Sequence, residues 1–164
     1  MVRKTAFLAK EKKFRRGVGV VLLNSDNLIF AGRRLGMEVE AWQMPQGGID
    51  GSELPQDAAL RELNEEIGTN NAKILGATSD WLTYEFPAYV SKKVWQGRNM
   101  GQRQKWYAMK FLGCDEDIVL DRSSHPEFND WKWVSPAEML DLIVTFKKNL
   151  YIEVFNEFKE ILEL

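Results

Sequence analysis

The spacing of apolar positions changes several times along the chain, and each change marks an element. Residues 18–23 form an essentially unbroken apolar run, as expected of a strand covered on both faces. Asn24, Ser25, Asp26 and Asn27 make a turn cluster, and apolar character returns over 28–31, which predicts a hairpin. Trp42 and Met44 mark another short strand, ended by Pro45 and the Gly47-Gly48 pair. Over 55–67 the spacing becomes helical. Ala59, Leu60, Leu63 and Ile67 fall on one stripe, Pro55 suits the first turn, and Gly68 suits the residue just past the end. Leu54 stands where a capping Ser or Asp is expected. Further strands are predicted over 74–78, 81–86, 106–112 and 131–134. Ser135 and Glu138 form a capping-box signature, and a last helix is predicted over 146–162 with Leu150, Val154, Phe158 and Ile161 on one side. Strands interrupted by one helix and closed by another predict helices packed on a mixed sheet.

Composition narrows this to one domain. The chain has 164 residues, and its 45% hydrophobic and 28% charged residues argue against general disorder. A formal charge of −2 excludes a binder held to nucleic acid by bulk electrostatics, so no DNA partner is expected, and RNA would need a local basic site. The first sixteen residues carry Arg3, Lys4, Lys10, Lys12, Lys13, Arg15 and Arg16 against Glu11 alone. A loosely packed or disordered leader is expected over 1–13 and the folded domain over 14–164. One cysteine, Cys114, and one histidine, His125, exclude an internal disulfide framework and a Cys/His zinc site. Cys114 reads as a small core or strand residue and His125 as a surface-loop residue. No apolar run approaches the ~20 residues that span a bilayer, and Phe7 and Leu8 are too few for a signal-peptide core. A cytoplasmic monomer is the expectation.

The chemistry concentrates on the central predicted helix. Glu62, Glu65 and Glu66 share one face, where like charges destabilise a bare helix by roughly 0.2–0.5 kcal/mol. Either that face is simply solvated, or a cation neutralises it. Arg61 stands four residues before Glu65, placed to orient a carboxylate. Glu53 adds one more acid from the preceding loop. The Gly47-Gly48 pair permits positive φ and close backbone approach, as a turn facing metal or phosphate requires. Oxygen ligands alone favour Mg2+ or Mn2+ over zinc or copper.

Gly47, five residues, Glu53, seven residues, then Arg61-Glu62-Leu63-Asn64-Glu65-Glu66-Ile67-Gly68 resembles the Nudix box. Thr69 departs from it, standing where the family has an aliphatic residue. The resemblance implies an α/β/α sandwich with a central mixed sheet, and metal-dependent hydrolysis of a phosphoanhydride. It implies Glu62, Glu65 and Glu66 as core metal ligands together with Gly47, Glu62 as candidate general base, and Arg61 as their holder. A non-catalytic nucleotide-binding module would have lost a box carboxylate, and here Glu53, Glu62, Glu65 and Glu66 are all present.

Three stretches outside the box are similar to the RNA pyrophosphohydrolases and the related dinucleoside polyphosphate hydrolases. They are the run 41–50, the run 101–107, and Pro126-Glu127-Phe128 with Trp131, Lys132, Trp133 and Val134. That similarity implies Glu127 as a further metal or base glutamate, and Arg15, Val144, Phe146 and Lys147 as contacts to nucleotide bases. Gln46 joins the substrate-binding set. Gln102, Gln104 and Lys105 suit polyphosphate oxygens or, equally, the solvent face of a strand. Phe146 suits a base-stacking platform or buried packing at the helix entry. Trp42, Trp106, Trp131 and Trp133 read as packing residues. The implied substrate is 5′-triphosphorylated RNA, cut to a 5′-monophosphate, with dinucleoside polyphosphates as the rival.

Overall fold

A computed structural model describes residues 14–91 and 100–164. The predicted leader, 1–13, lies outside them. Eight strands form one sheet: β1 (Phe14–Leu23), β2 (Ile29–Arg34), β3 (Trp42–Gln43), β4 (Gln46–Gly48), β5 (Ala72–Ala77), β6 (Leu82–Glu85), β7 (Gly101–Phe111) and β8 (Phe128–Val134). The helices are α1 (Pro55–Ile67), α2 (Ala88–Ser91), α3 (Pro136–Leu142) and α4 (Lys148–Glu157), with 3-10 turns at Asp115–Asp117 and Thr145–Lys147. β3-β2-β1-β7-β5 run side by side, while β4 pairs with β1, β6 with β7 and β8 with β2. β1 and β7 are parallel over ten register pairs from Phe14↔Gly101 to Leu23↔Lys110, and the other pairings are antiparallel, so the sheet is mixed.

Both faces of the sheet are covered, which explains the unbroken apolar run of β1. Val18, Val20 and Leu22 face α1, where they pack with Ala58, Ala59, Leu63, Ile67, Tyr107 and Met109. Val21 and Leu23 face the other way, toward Trp106, Tyr151, Val154, Phe155 and Phe158. The result is the expected α/β/α sandwich, with period-two alternation assigning each residue to one of two cores. Leu63 is fully buried, and truncating such a leucine to alanine costs about 2–5 kcal/mol.

α1 matches its predicted bounds. It starts without a side-chain cap at Leu54, has Pro55 in the first turn, and ends on Gly68 at φ 82°, a left-handed position that glycine adopts without steric cost. Other expectations shift. β1 begins at Phe14, four residues before the predicted apolar run, so Arg15 and Arg16 lie within the strand. Gly47 and Gly48 form β4 against β1 instead of a turn, and neither has positive φ. The capping box is half-made: Ser135 accepts the Glu138 backbone N–H, but the Glu138 carboxylate pairs with Lys132 at 3.4 Å. The last helix closes at Glu157, with turns beyond it. Cys114 is exposed, not core. Its thiol pKa is pushed up by hydrogen bonds to Glu116 and Asp117, which keeps the nucleophilic thiolate scarce. Trp42 and Trp106 are buried as expected, and Trp131 stacks on Phe30 at 5.7 Å. Among the described residues, no helix is long and apolar enough to cross a membrane.

Candidate active site

Arg61 organises the acidic face of α1. Its Nε donates to Glu53 Oε2 and its Nη2 to Glu53 Oε1, both at 2.9 Å, a two-point clamp. Nη2 also donates to the Gly48 carbonyl at 2.9 Å, while Nη1 donates to Glu62 at 3.0 Å and Glu65 at 3.3 Å. Glu53 is thereby committed to the arginine, and its pKa is lowered chiefly by that hydrogen bond. The loop acid read from sequence as one more carboxylate pairs with Arg61, and the clamp ties the loop and β4 to the helix.

Glu62 and Glu66 occupy a different environment. Glu66 is buried, with Oε2 accepting the Gln46 backbone N–H at 3.3 Å. Burial, then the charges of Glu62 and Glu127, hold its pKa well above the usual carboxylate range. Burial also raises Glu62, against the opposing hydrogen bond and charge of Arg61. A Cβ on Gly47 would collide with the Glu62 carboxylate, so glycine at this position is a matter of space and not of backbone conformation.

These residues open on a groove of roughly 550 Å³. Glu62, Glu65, Glu66 and Glu127 lie along it with Gly47, and so do Arg15, Gln46, Gln102, Phe146 and Lys147. Period two in β7 divides the run read as a polyphosphate site. Gln102 and Gln104 are buried on the groove side, Gln104 just behind the lining, whereas Lys105 pairs with Val18 and belongs to the α1 side, away from the groove. Val144 packs against the sheet–α4 core and does not line the groove. Phe146 lines the groove and packs edge-on against Phe86 at 6.3 Å.

Sequence reading missed Arg34, Gln43 and Tyr84, which also line the groove. Each lies in a strand whose neighbours read simply as core, and only the fold shows which polar positions face inward. Lys147 is almost fully buried, with Nζ donating to Gln43 Oε1 at 3.3 Å and sitting 5.5 Å from the centre of the Tyr84 ring. Burial, then the charge of Arg34, brings its pKa down to about 7. His125 is exposed as expected, at the groove's rim.

The donor set is carboxylate and backbone oxygen, which fits a hard divalent ion. Crowding of buried Glu66 against Glu62 and Glu127 is a charge conflict that such an ion would relieve. Among the described residues, no three acidic, histidine or cysteine groups already converge as a closed metal cage, and Arg61 draws Glu62 and Glu65 toward itself.

Fold and site together define a Nudix domain, and the NUDIX domain model matches residues 13–154. The chain belongs to the Nudix family. It is 50% identical over 144 residues to the RNA pyrophosphohydrolase of Rhodospirillum rubrum, covering 88% of this chain and 86% of that one. It is 48% identical over 148 residues to the RNA pyrophosphohydrolase of Zymomonas mobilis, covering 89% and 95%. Among solved structures it resembles the E. coli dihydroneopterin triphosphate pyrophosphohydrolase, with TM-score 0.66, 18% identity and coverage of 88% and 97%. The C. elegans Ap4A hydrolase is similar at TM-score 0.61, 19% identity and coverage of 88% and 98%. At those identities the structures speak for the fold alone.

Proposed function

We propose that this chain is an RNA pyrophosphohydrolase, removing pyrophosphate from the 5′-triphosphate end of RNA to leave a 5′-monophosphate. The relatives of that name, at 48–50% identity over most of both chains, support the substrate. The observation that carries the reading is a single groove lined both by four glutamates and by Arg15, Arg34, Lys147, Tyr84, Phe86 and Phe146. A polyphosphate would engage the glutamates through a bound cation, and an unstacked base would meet aromatic faces beside cationic side chains.

In this reading Glu62, Glu65, Glu66 and Glu127, with the backbone of Gly47, hold Mg2+ or Mn2+. When bound, the ion neutralises phosphate charge and lowers the pKa of a bound water. Arg61 fixes Glu62 and Glu65 relative to the loop and β4. Glu62 is the group we assign to accept the proton of the attacking water. Arg15 and Lys147 supply positive charge along the phosphate-to-base path.

The test compares 5′-triphosphorylated RNA and diadenosine tetraphosphate with magnesium present and absent, and with the Glu66→Gln variant. Higher catalytic efficiency on RNA, with diphosphate released or phosphate in successive steps, is expected. Preference for the dinucleotide, giving ATP and AMP, would reassign the substrate. No metal-dependent turnover of either would overturn the reading.

A further inference from the structure

Gln46 and Gln102 line the groove, and their side-chain amides are useful to a polyphosphate only if the NH2 ends face it. An amide has a donor end and an acceptor end that differ little in shape, so packing alone does not choose between them. The choice is made behind the groove. Trp106 Nε1, which can only donate, gives its hydrogen to Gln104 Oε1 at 3.1 Å. With its oxygen so occupied, Gln104 turns its NH2 outward, and Nε2 donates to Gln102 Oε1 at 2.8 Å and to Gln46 Oε1 at 3.1 Å. Both glutamine carbonyls are thereby directed at Gln104, leaving both NH2 groups on the side away from it, where that of Gln46 also meets the hydroxyl of Tyr84 in the groove lining.

We infer that Trp106 is a positioning residue: through Gln104 it sets the amide orientation of Gln46 and Gln102, so that the groove presents donors to the anionic substrate. The inference rests on the polyphosphate-hydrolase reading above and extends it to a residue buried outside the groove.

The neighbouring strand is shaped to hold this arrangement. Gly19 is the register partner of Trp106, and a Cβ there would collide with the indole ring. Gly17 is the partner of Gln104, and a Cβ there would stand 2.7 Å from the Gly47 carbonyl and 3.2 Å from Gln102 Oε1. Trp106 and Gln104 are both fully buried, so water does not compete for the donors. Tyr151 meets the Trp106 ring edge-on at 5.6 Å. The chain of donors runs in one direction from an indole that cannot be reversed.

Two substitutions separate the donor from the packing. Trp106→Phe removes both the N–H and the fused ring. Trp106→His also removes bulk but keeps a ring N–H at the corresponding position. On 5′-triphosphorylated RNA oligonucleotide, with both variants shown folded by circular dichroism, Trp106→Phe is expected to raise KM about tenfold, in line with the loss of oriented hydrogen bonds to a charged ligand. Its kcat should stay within about threefold of the parent. Trp106→His is expected to recover most of the KM. Equal KM increases in both variants would show that packing alone matters, and an unchanged KM in folded Trp106→Phe would equally overturn the inference.

Amide orientation is also readable without substrate. In 15N-resolved spectra of the unmodified protein, the Gln104 side-chain NH2, identified as the amide signal missing from Gln104→Glu, should be protected from solvent exchange, with that protection weakened in Trp106→Phe. Should the parent protein fail to turn over RNA, the functional reading falls while protection of Gln104 still reports on the amide chain. Rapid exchange of the Gln104 NH2 in the parent would overturn the positioning role by itself.

Discussion

The Glu62 carboxylate occupies the space that a side chain on Gly47 would fill. Strand β4 and helix α1 approach each other this closely only because one partner has no Cβ. Gly47→Ala should displace Glu62 without unfolding the protein, since Gly47 has ordinary strand φ and the rest of α1 is anchored by Ala59, Leu63 and Ile67. Turnover is expected to fall at least about a hundredfold, the scale on which ~1 Å misplacements act, with the thermal midpoint shifted by only a few degrees. Parent-like turnover in Gly47→Ala would show that the Glu62 position is not critical.

Arg61→Lys tests the clamp. A lysine ammonium cannot reproduce two parallel hydrogen bonds to Glu53 while also reaching Gly48, Glu62 and Glu65. The substitution should lower stability modestly, since these hydrogen bonds are only partly shielded from solvent, with a large loss of turnover. Urea unfolding without metal measures the first and steady-state kinetics the second. Arg61→Lys with unchanged urea stability would mean that the arginine serves chemistry only.

The acidic cluster predicts an unusual pH dependence. Glu66 and Glu62 have folded pKa values raised above the unfolded one, so between those values the native state holds more protons than the unfolded chain. Stability of the metal-free protein should therefore fall as pH rises from the ordinary glutamate range, ~4.3, through the raised folded values. Glu53, with a lowered pKa, acts oppositely at more acid pH. Glu66→Gln should flatten the decline, and magnesium should raise the thermal midpoint more at pH 8 than at pH 5. Thermal melts across pH, with and without the ion, check both. Stability that climbs steadily to pH 8 without metal would contradict the charge conflict.

Lys147 carries a burial cost of its own. Its folded pKa of about 7 lies below the usual lysine value, so the cost is fully present below pH 7 and fades as pH rises toward the unfolded value, ~10.4. Lys147→Met should stabilise the protein most at or below neutral pH while raising KM for RNA about tenfold. Guanidinium unfolding at pH 6.5 and 9.5 measures the gain. A loss of stability at pH 6.5 would show that the Lys147 contacts to Gln43 and Tyr84 outweigh desolvation.

Local signals made α1 legible in the chain almost to the residue, because Pro55, Gly68 and the Leu63 stripe act within one helix. The box carboxylates were legible for the same reason. Residues brought together by strand pairing were harder to read. Lys105 looked equivalent to Gln104 in a polar run, yet adjacent strand residues face opposite ways, and register with β1 puts Lys105 on the α1 side. Cys114 carried no periodic signal at all, being in a turn held by Asp117. Arg34 and Tyr84 come from strands distant in sequence, and nothing local marks them as neighbours of Lys147.

The parallel pairing of β1 with β7 bears on how the enzyme is made. Arg15 lies beside Gln102 and Gly17 beside Gln104, so the groove wall is sewn from the first described strand and from one in the second half of the chain. Such closure carries a loop entropy that must be overcome before its contacts form, which makes this step slow relative to helix and hairpin formation. A nascent chain still lacking β7 would carry the complete glutamate helix and only part of the groove wall. The three glutamates of α1 are thus synthesised early, Glu127 follows only after β7, and the groove is complete only once the sheet has closed.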